Sequence, residues 1–99
     1  MTEEPETRTV PLGTRFTIDL PANPTTGYDW QVAFPPERVR LEGREHVRDS
    51  DRIGAGGKTT FTFQALSVGE ATLRFRYLRV WEGTPIEERV VTVRVEPAP

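Results

Sequence analysis

The chain has 99 residues, no cysteine and a formal net charge of −2 from 13 basic and 15 acidic side chains. This length suits one domain with one core, and we expect a single domain over residues 1–99 with frayed termini at 1–7 and 97–99. The absence of cysteine excludes a disulfide framework and a thiolate nucleophile. The balanced charge argues against a nucleic-acid partner or an anionic membrane.

Short segments in which apolar and polar residues alternate run through the chain, and this pattern is typical of half-buried β-strands. Glycine and proline separate the segments, and no window shows the 3.6-residue period of a helix. This spacing of strands predicts an all-β sandwich or barrel. In chain order the segments are Arg8–Val10, Arg15–Leu20, Tyr28–Phe34, Val39–Arg48, Thr59–Ala65, Ala71–Tyr77 and Ile86–Val95, of which the first and fourth are the weaker.

Residues that could carry catalysis are scarce. The single histidine, His46, has only Ser50 and Ser67 as triad partners, and nothing in the sequence brings these groups together. The acidic residues are scattered and show no metal-ligand spacing. Gly56-Gly57-Lys58-Thr59 looks like the end of a phosphate-binding loop, but Arg52 stands where that motif needs glycine, and a strand follows where it needs a helix. We therefore expect no enzyme, no cofactor and no metal.

The beginning of the chain bears on its compartment. Met1–Thr7 is polar and acidic, unlike a secretory signal, and no apolar stretch reaches the length of a membrane span. The chain is then cytoplasmic, or periplasmic or secreted if a signal was removed, and the sequence does not choose between these.

A stiff loop is predicted between the second and third strands, and this first loop reads Asn23-Pro24-Thr25-Thr26-Gly27-Tyr28. Pro24 fixes its own φ and makes the preceding residue extended. Gly27 permits a positive φ just before the next strand. The tip then consists of two small hydroxyl side chains. An ordinary turn explains the proline and the glycine, but it has no need of the threonine pair.

Two further loops have an unusual composition. The second loop, Gly54-Ala55-Gly56-Gly57, is rich in glycine, which suits the close approach of another main chain, although a flexible hairpin tip explains it equally well. The third loop, Arg79-Val80-Trp81-Glu82-Gly83, holds the two residue types most enriched at binding hot spots, Arg79 and Trp81. Trp81 either is exposed in this loop or covers the end of the core.

In their order along the chain, the three loops resemble those of the chagasin-type inhibitors of cysteine peptidases. That family carries the motifs N-P-T-T-G-[YF], G-x-G-G and R-P-[WF], and here Val80 replaces the proline of the third motif, so we expect a less rigid third loop. The resemblance spans roughly Val10 to Val95. It implies an immunoglobulin-like antiparallel β-sandwich of about seven or eight strands, with the three loops at one end.

The resemblance also implies a function, which is reversible, tight-binding inhibition of papain-like cysteine peptidases by three loops that occlude the active-site cleft. The first loop would enter the cleft near the catalytic cysteine, and the other two loops would lie on either side. The only partner implied is the peptidase, and the inhibitor would be a monomer without nucleic acid or membrane contacts. The residues assigned to peptidase binding are Asn23, Pro24, Thr25, Thr26, Gly27, Tyr28, Gly54, Ala55, Gly56, Gly57, Arg79 and Trp81.

Two other functions compete with inhibition. One is an adhesion or carbohydrate-binding β-sandwich module, non-enzymatic, that uses Trp81 and Tyr28 as a stacking platform. The other is a structural interaction module from a larger chain. The adhesion or carbohydrate-binding module has no use for the Thr25–Thr26 pair, so the sequence favours the inhibitor.

Overall fold

The structure is a computed structural model, and it describes residues 6–22, 27–48 and 57–98, without the side chain of Arg48. These residues form strands and turns, with no helix among them. The strands are β1 Glu6–Pro11, β2 Arg15–Ala22, β3 Asp29–Ala33, β4 Val39–Arg48, β5 Gly57–Ala65, β6 Gly69–Leu78 and β7 Pro85–Glu96. All the predicted strands are therefore present, and all but β4 are shifted at one or both ends.

The strands form two packed sheets, one with the order β1-β7-β6-β3 and one with the order β2-β5-β4. This arrangement confirms the predicted all-β sandwich. Neighbouring strands are antiparallel, as predicted, with the exception of β1 and β7, which pair in parallel.

The amino-terminal end differs from the prediction as well. Glu6 and Thr7 belong to β1 and pair with Val91 and Thr92 of β7. The expected fraying of residues 1–7 therefore does not hold for these two residues, since the sheet gives them main-chain partners. Residues 1–5 and Pro99 lie outside the described ranges.

The core lies between the two sheets and follows the predicted period of two. In β2, Phe16, Ile18 and Leu20 are buried while their neighbours are exposed. The rings of Phe61 and Phe75 lie at the centre, with centroids 5.3 Å apart. Complete burial of one such side chain stabilises the fold by roughly 1.5–3 kcal/mol, so a core of this kind needs no disulfide.

Trp30 joins the two sheets at one end of the sandwich. Its side chain is fully buried, and its indole Nε1–H donates a hydrogen bond of 2.9 Å to the carbonyl oxygen of Pro21. Trp30 belongs to β3 in one sheet and Pro21 to β2 in the other, and the first loop connects these strands. The bond therefore fixes the separation of the two points between which the first loop runs.

Arginine side chains also join the sheets along their open edges. Arg8 of β1 donates a hydrogen bond of 2.7 Å to the carbonyl oxygen of Thr17 in β2. On the opposite side, Arg44 of β4 forms an ion pair with Asp29 of β3. An exposed ion pair such as Arg44–Asp29 contributes about 0–1 kcal/mol, so it aligns the sheets rather than holds them together.

A β-bulge interrupts β4 at Glu42, where the pairing with β5 shifts between Leu41 and Gly43. The Glu42 carboxylate accepts a hydrogen bond of 2.5 Å from Arg15 on β2 and a longer one of 3.3 Å from Arg40. Arg15, above all through its hydrogen bond, and then Arg40 hold the pKa of Glu42 below its ordinary value of 4.5.

Replacing Trp30→Phe should lower the free energy of unfolding by about 1–3 kcal/mol, because it removes the donor to Pro21 and leaves space beside a smaller ring. Equilibrium unfolding in urea measures this loss. Gln31→Ala on the same strand is the control, since Gln31 is exposed and should change stability by less than about 0.5 kcal/mol. Equal stabilities for the two variants would contradict the role given to the indole.

The Glu42 carboxyl should titrate below its ordinary range in the folded protein, as followed by NMR of its side-chain carbon. Because its pKa is lower in the folded than in the unfolded state, its contacts stabilise the fold above the unfolded pKa. That stability is lost as the pH falls through the folded pKa. Arg15→Ala should raise the pKa toward 4.5, whereas Arg94→Ala, whose ion-pair partner is Glu70, should leave it unchanged. If the pKa of Glu42 is the same in the Arg15→Ala variant as in the original chain, this assignment is wrong.

Candidate functional site

The register of both sheets brings the ends of the three loops to one end of the sandwich. In the three-stranded sheet, Gly57 pairs with Ala22, which precedes the first loop, and with Arg48, which precedes the connection that contains the second loop. In the four-stranded sheet, Asp29 after the first loop pairs with Leu78 before the third. The topology therefore gathers three segments that are far apart in sequence.

Five of the residues that the sequence assigns to binding are described by the structure, namely Gly27, Tyr28, Gly57, Arg79 and Trp81. For all of the assigned residues the role in binding stays a prediction, and seven of them lie outside the described residues. These are Asn23, Pro24, Thr25, Thr26, Gly54, Ala55 and Gly56.

The third loop projects apolar side chains into solvent. Trp81 is 73% exposed and Val80 is 69% exposed. Trp81 therefore does not cover the end of the core, and that reading of the sequence is wrong. The main chain turns tightly here, because the carbonyl oxygen of Arg79 accepts hydrogen bonds of 3.0 Å from the N–H groups of both Glu82 and Gly83. A turn closed in this way holds the side chains at its tip outward.

The Arg79 side chain braces this turn from within the protein. Its guanidinium carbon lies 4.4 Å from the ring centroid of Tyr28, and its Nη1 lies 3.7 Å from a carboxylate oxygen of Glu82. Tyr28 in turn stacks on Tyr77 at 5.5 Å, and Tyr77 lies 4.7 Å from the ring of buried Trp30. A series of stacked side chains thus connects the core to the third loop. The sequence predicts only a peptidase contact for Arg79, and nothing in it indicates this internal contact with Tyr28.

The first and third loops touch at Gly27. The φ of Gly27 is +83°, as the sequence predicted for this position. A Cβ atom placed on Gly27 would lie 2.8 Å from Cη2 of Trp81, so the indole passes directly over the glycine. Trp81 is thus exposed on one side and in contact with the first loop on the other.

A shallow groove of about 310 Å³ adjoins this contact, between the edge strands β3 and β4. Arg44 and His46 of β4 face this groove. After the bulge at Glu42, Arg44 pairs with inward-facing Phe61 and His46 pairs with buried Thr59, so both lie on the inner face of the sheet. The groove is lined by Ala22, Gly27, Tyr28, Asp29, Arg44, His46 and Thr59.

The two described candidate catalytic groups, His46 and Ser67, do not come together. Ser67 follows β5 at the far end of the sandwich, where its hydroxyl donates to the carbonyl oxygen of Glu37 at 2.9 Å, while His46 lies near the loop end of β4. Ser50 lies outside the described residues. Gly57-Lys58-Thr59 opens strand β5, so the described part of the suspected phosphate motif has no helix.

Among residues 6–22, 27–48 and 57–98, no three acidic or histidine side chains cluster in a way that could hold a metal ion. The part of the chain that the structure describes contains no helix with the length and hydrophobicity of a membrane span.

The chain matches known proteins over most of its length. Residues 9–95 match the family described as Chagasin family peptidase inhibitor I42. Chagasin of Trypanosoma cruzi is 32% identical over 93 residues, which cover 88% of this chain and 84% of chagasin.

Two solved structures share the fold at lower identity. The cysteine protease inhibitor EhICP2 from Entamoeba histolytica superposes with a TM-score of 0.84 and 23% identity, covering 97% of this chain and 93% of that one. PbICP-C, solved in complex with falcipain-2, has a TM-score of 0.76 and 16% identity, with coverage of 94% and 88%. The family match over residues 9–95, with the likeness to chagasin, shows that this chain belongs to the chagasin family of peptidase inhibitors.

Proposed function

We propose that the chain is a reversible, tight-binding inhibitor of papain-like cysteine peptidases, and that its three loops occlude the active-site cleft. The observation that carries this proposal is the position of Trp81, an exposed indole at the loop end of the sandwich, in contact with the first loop. Membership of the chagasin family supports the proposal. So does the fold shared with PbICP-C, which is a peptidase-bound protein in its solved complex.

Shape and stiffness suit the described loop ends to a narrow cleft. A segment that enters such a cleft needs small side chains at its tip, and Thr25 and Thr26 meet this need. The Trp30–Pro21 hydrogen bond holds the strands on both sides of that segment. We expect a segment anchored at both ends in this way to lose less conformational freedom on binding, which favours affinity.

The third loop contributes an anchor without the proline that the family carries at this position. Val80 stands there, but the paired hydrogen bonds to the Arg79 carbonyl and the contact between Arg79 and Tyr28 restrict the same turn. We therefore expect Trp81 to be presented in a defined position despite the valine. An aromatic anchor on a restricted loop is typical of binding hot spots.

The carbohydrate-binding alternative requires Tyr28 and Trp81 as open ring faces. Tyr28 is only half-exposed, stacks on Tyr77 and carries the Arg79 guanidinium at 4.4 Å. Only Trp81 is then available for stacking, which makes a poor platform for a sugar. These contacts favour the inhibitor over the adhesion module.

Trp81→Ala should raise the inhibition constant for a papain-like peptidase about ten- to hundredfold, since loss of a central aromatic hot spot costs about 2 kcal/mol or more. The thermal midpoint should hardly change, because the side chain is 73% exposed. Titration of papain or a cathepsin L-like enzyme measures the effect. Val68→Ala is the control, since Val68 is 45% exposed at the far end of the sandwich. Absence of inhibition by the unaltered chain at micromolar concentration, against several such enzymes, would disprove the proposal.

Thr26→Arg should also weaken inhibition by about tenfold or more, because a long side chain at the tip of the first loop would not fit a narrow cleft. Thermal unfolding of the variant should match that of the original chain. Thr17→Arg on the exposed face of β2 introduces the same side chain away from the loops, and it should leave the inhibition constant unchanged. If Thr26→Arg inhibits as well as Thr17→Arg does, the first loop does not enter the cleft.

A further inference from the structure

Gly27 differs from the other described glycines with positive φ in what surrounds it. Gly13 and Gly83 have φ angles of +86° and +74°, yet a Cβ on either would meet nothing within 4 Å. At Gly69 a Cβ would meet the flexible end of the Arg38 side chain. At Gly27 it would meet the rigid ring of Trp81, with Cη2 at 2.8 Å and Cζ2 at 3.4 Å. Gly27 is therefore constrained by the ring of Trp81 as well as by its backbone conformation.

We propose that Gly27 is a positioning residue for Trp81. Because Gly27 has no side chain, the indole can lie across the end of the first loop, and the first and third loops then meet the peptidase as one preassembled surface. This inference rests on the proposed inhibition, and it adds how the two loops are coupled before the peptidase arrives.

The surroundings of the indole leave it few ways to adapt to a side chain at Gly27. An aromatic ring cannot bend, so it must swing as a whole to relieve a contact of 2.8 Å. The Nε of Arg79 lies 3.6 Å from the same Cβ position, and its guanidinium is held over Tyr28. A methyl group at Gly27 would therefore move Trp81 toward solvent and separate the two loops.

Such a separation should weaken binding. A side chain that is already in its bound orientation has less rotamer freedom to lose when the complex forms. A freely rotating Trp81 would lose that advantage, and the expected penalty is about three- to tenfold in the inhibition constant.

The first experiment concerns the free inhibitor and needs no peptidase. The chain has two tryptophans, and since Trp30 is fully buried, iodide quenching and the anisotropy of the quenchable emission report on Trp81. Gly27→Ala should make this emission more quenchable and lower its anisotropy. Gly13→Ala imposes the same left-handed strain without a neighbour, so it should lower the thermal midpoint while leaving the emission unchanged.

The second experiment measures inhibition of papain by Gly27→Ala, by Trp81→Ala and by the double variant. If Gly27 acts through Trp81, Gly27→Ala raises the inhibition constant three- to tenfold in the original chain but less than about twofold in the Trp81→Ala chain. Gly27→Asn repeats both experiments if Gly27→Ala fails to fold, because asparagine tolerates a positive φ and still adds a Cβ.

Two results would overturn the inference. One is fluorescence of Gly27→Ala or Gly27→Asn that matches that of Gly13→Ala. The other is a full effect of the Gly27 substitution on inhibition when Trp81 is already alanine, which would place its action in the first loop alone. If the unaltered chain inhibits no peptidase, the proposed function fails by itself, and the fluorescence still decides whether Gly27 positions Trp81.

Discussion

The hydrogen bond from the Trp30 indole to the Pro21 carbonyl is the contact on which the loop end of this protein depends. It crosses between the sheets at the strands that bound the first loop, and it is made by a side chain with no exposed surface. Tyr77 and Tyr28 stack outward from Trp30, and the guanidinium of Arg79 lies over Tyr28. These stacked side chains connect the buried core to the base of the third loop.

Topology explains why loops so distant in sequence share these contacts. Because β3 pairs with β6, the residue after the first loop stands beside the residue before the third, as Asp29 does beside Leu78. Because β5 lies between β2 and β4, Gly57 stands beside Ala22 and Arg48. The topology of the sandwich is enough to bring three connections to one end, even if the loops did not touch. The contact between Gly27 and Trp81 then further restricts two of the loops.

Alternation of apolar and polar residues was sufficient to predict the strands, since burial between two sheets imposes a period of two. It did not predict that β1 begins as early as Glu6, because Glu6-Thr7-Arg8-Thr9 contains no apolar residue. This segment is ordered by parallel pairing with β7, which is distant in sequence. Alternation did not predict either that Arg44 lies on the same face of its sheet as Phe61, since this depends on the bulge at Glu42. At the candidate site, loop composition predicted that Trp81 is a candidate binding residue. The packing of Arg79 on Tyr28 could not be predicted, because these residues are far apart in sequence and meet only in the folded chain.

Val80 shows how this chain departs from the motif that it otherwise matches. A proline at that position would fix φ within the loop itself, independently of its neighbours. With valine, the restriction comes from hydrogen bonds and side-chain contacts, which are the hydrogen bonds to the Arg79 carbonyl, the Arg79–Tyr28 contact and the contact of the Trp81 indole with Gly27. Two of these contacts belong to the end of the first loop. The third loop of this chain therefore owes part of its order to the first, and a change in either loop is expected to alter the surface that both present.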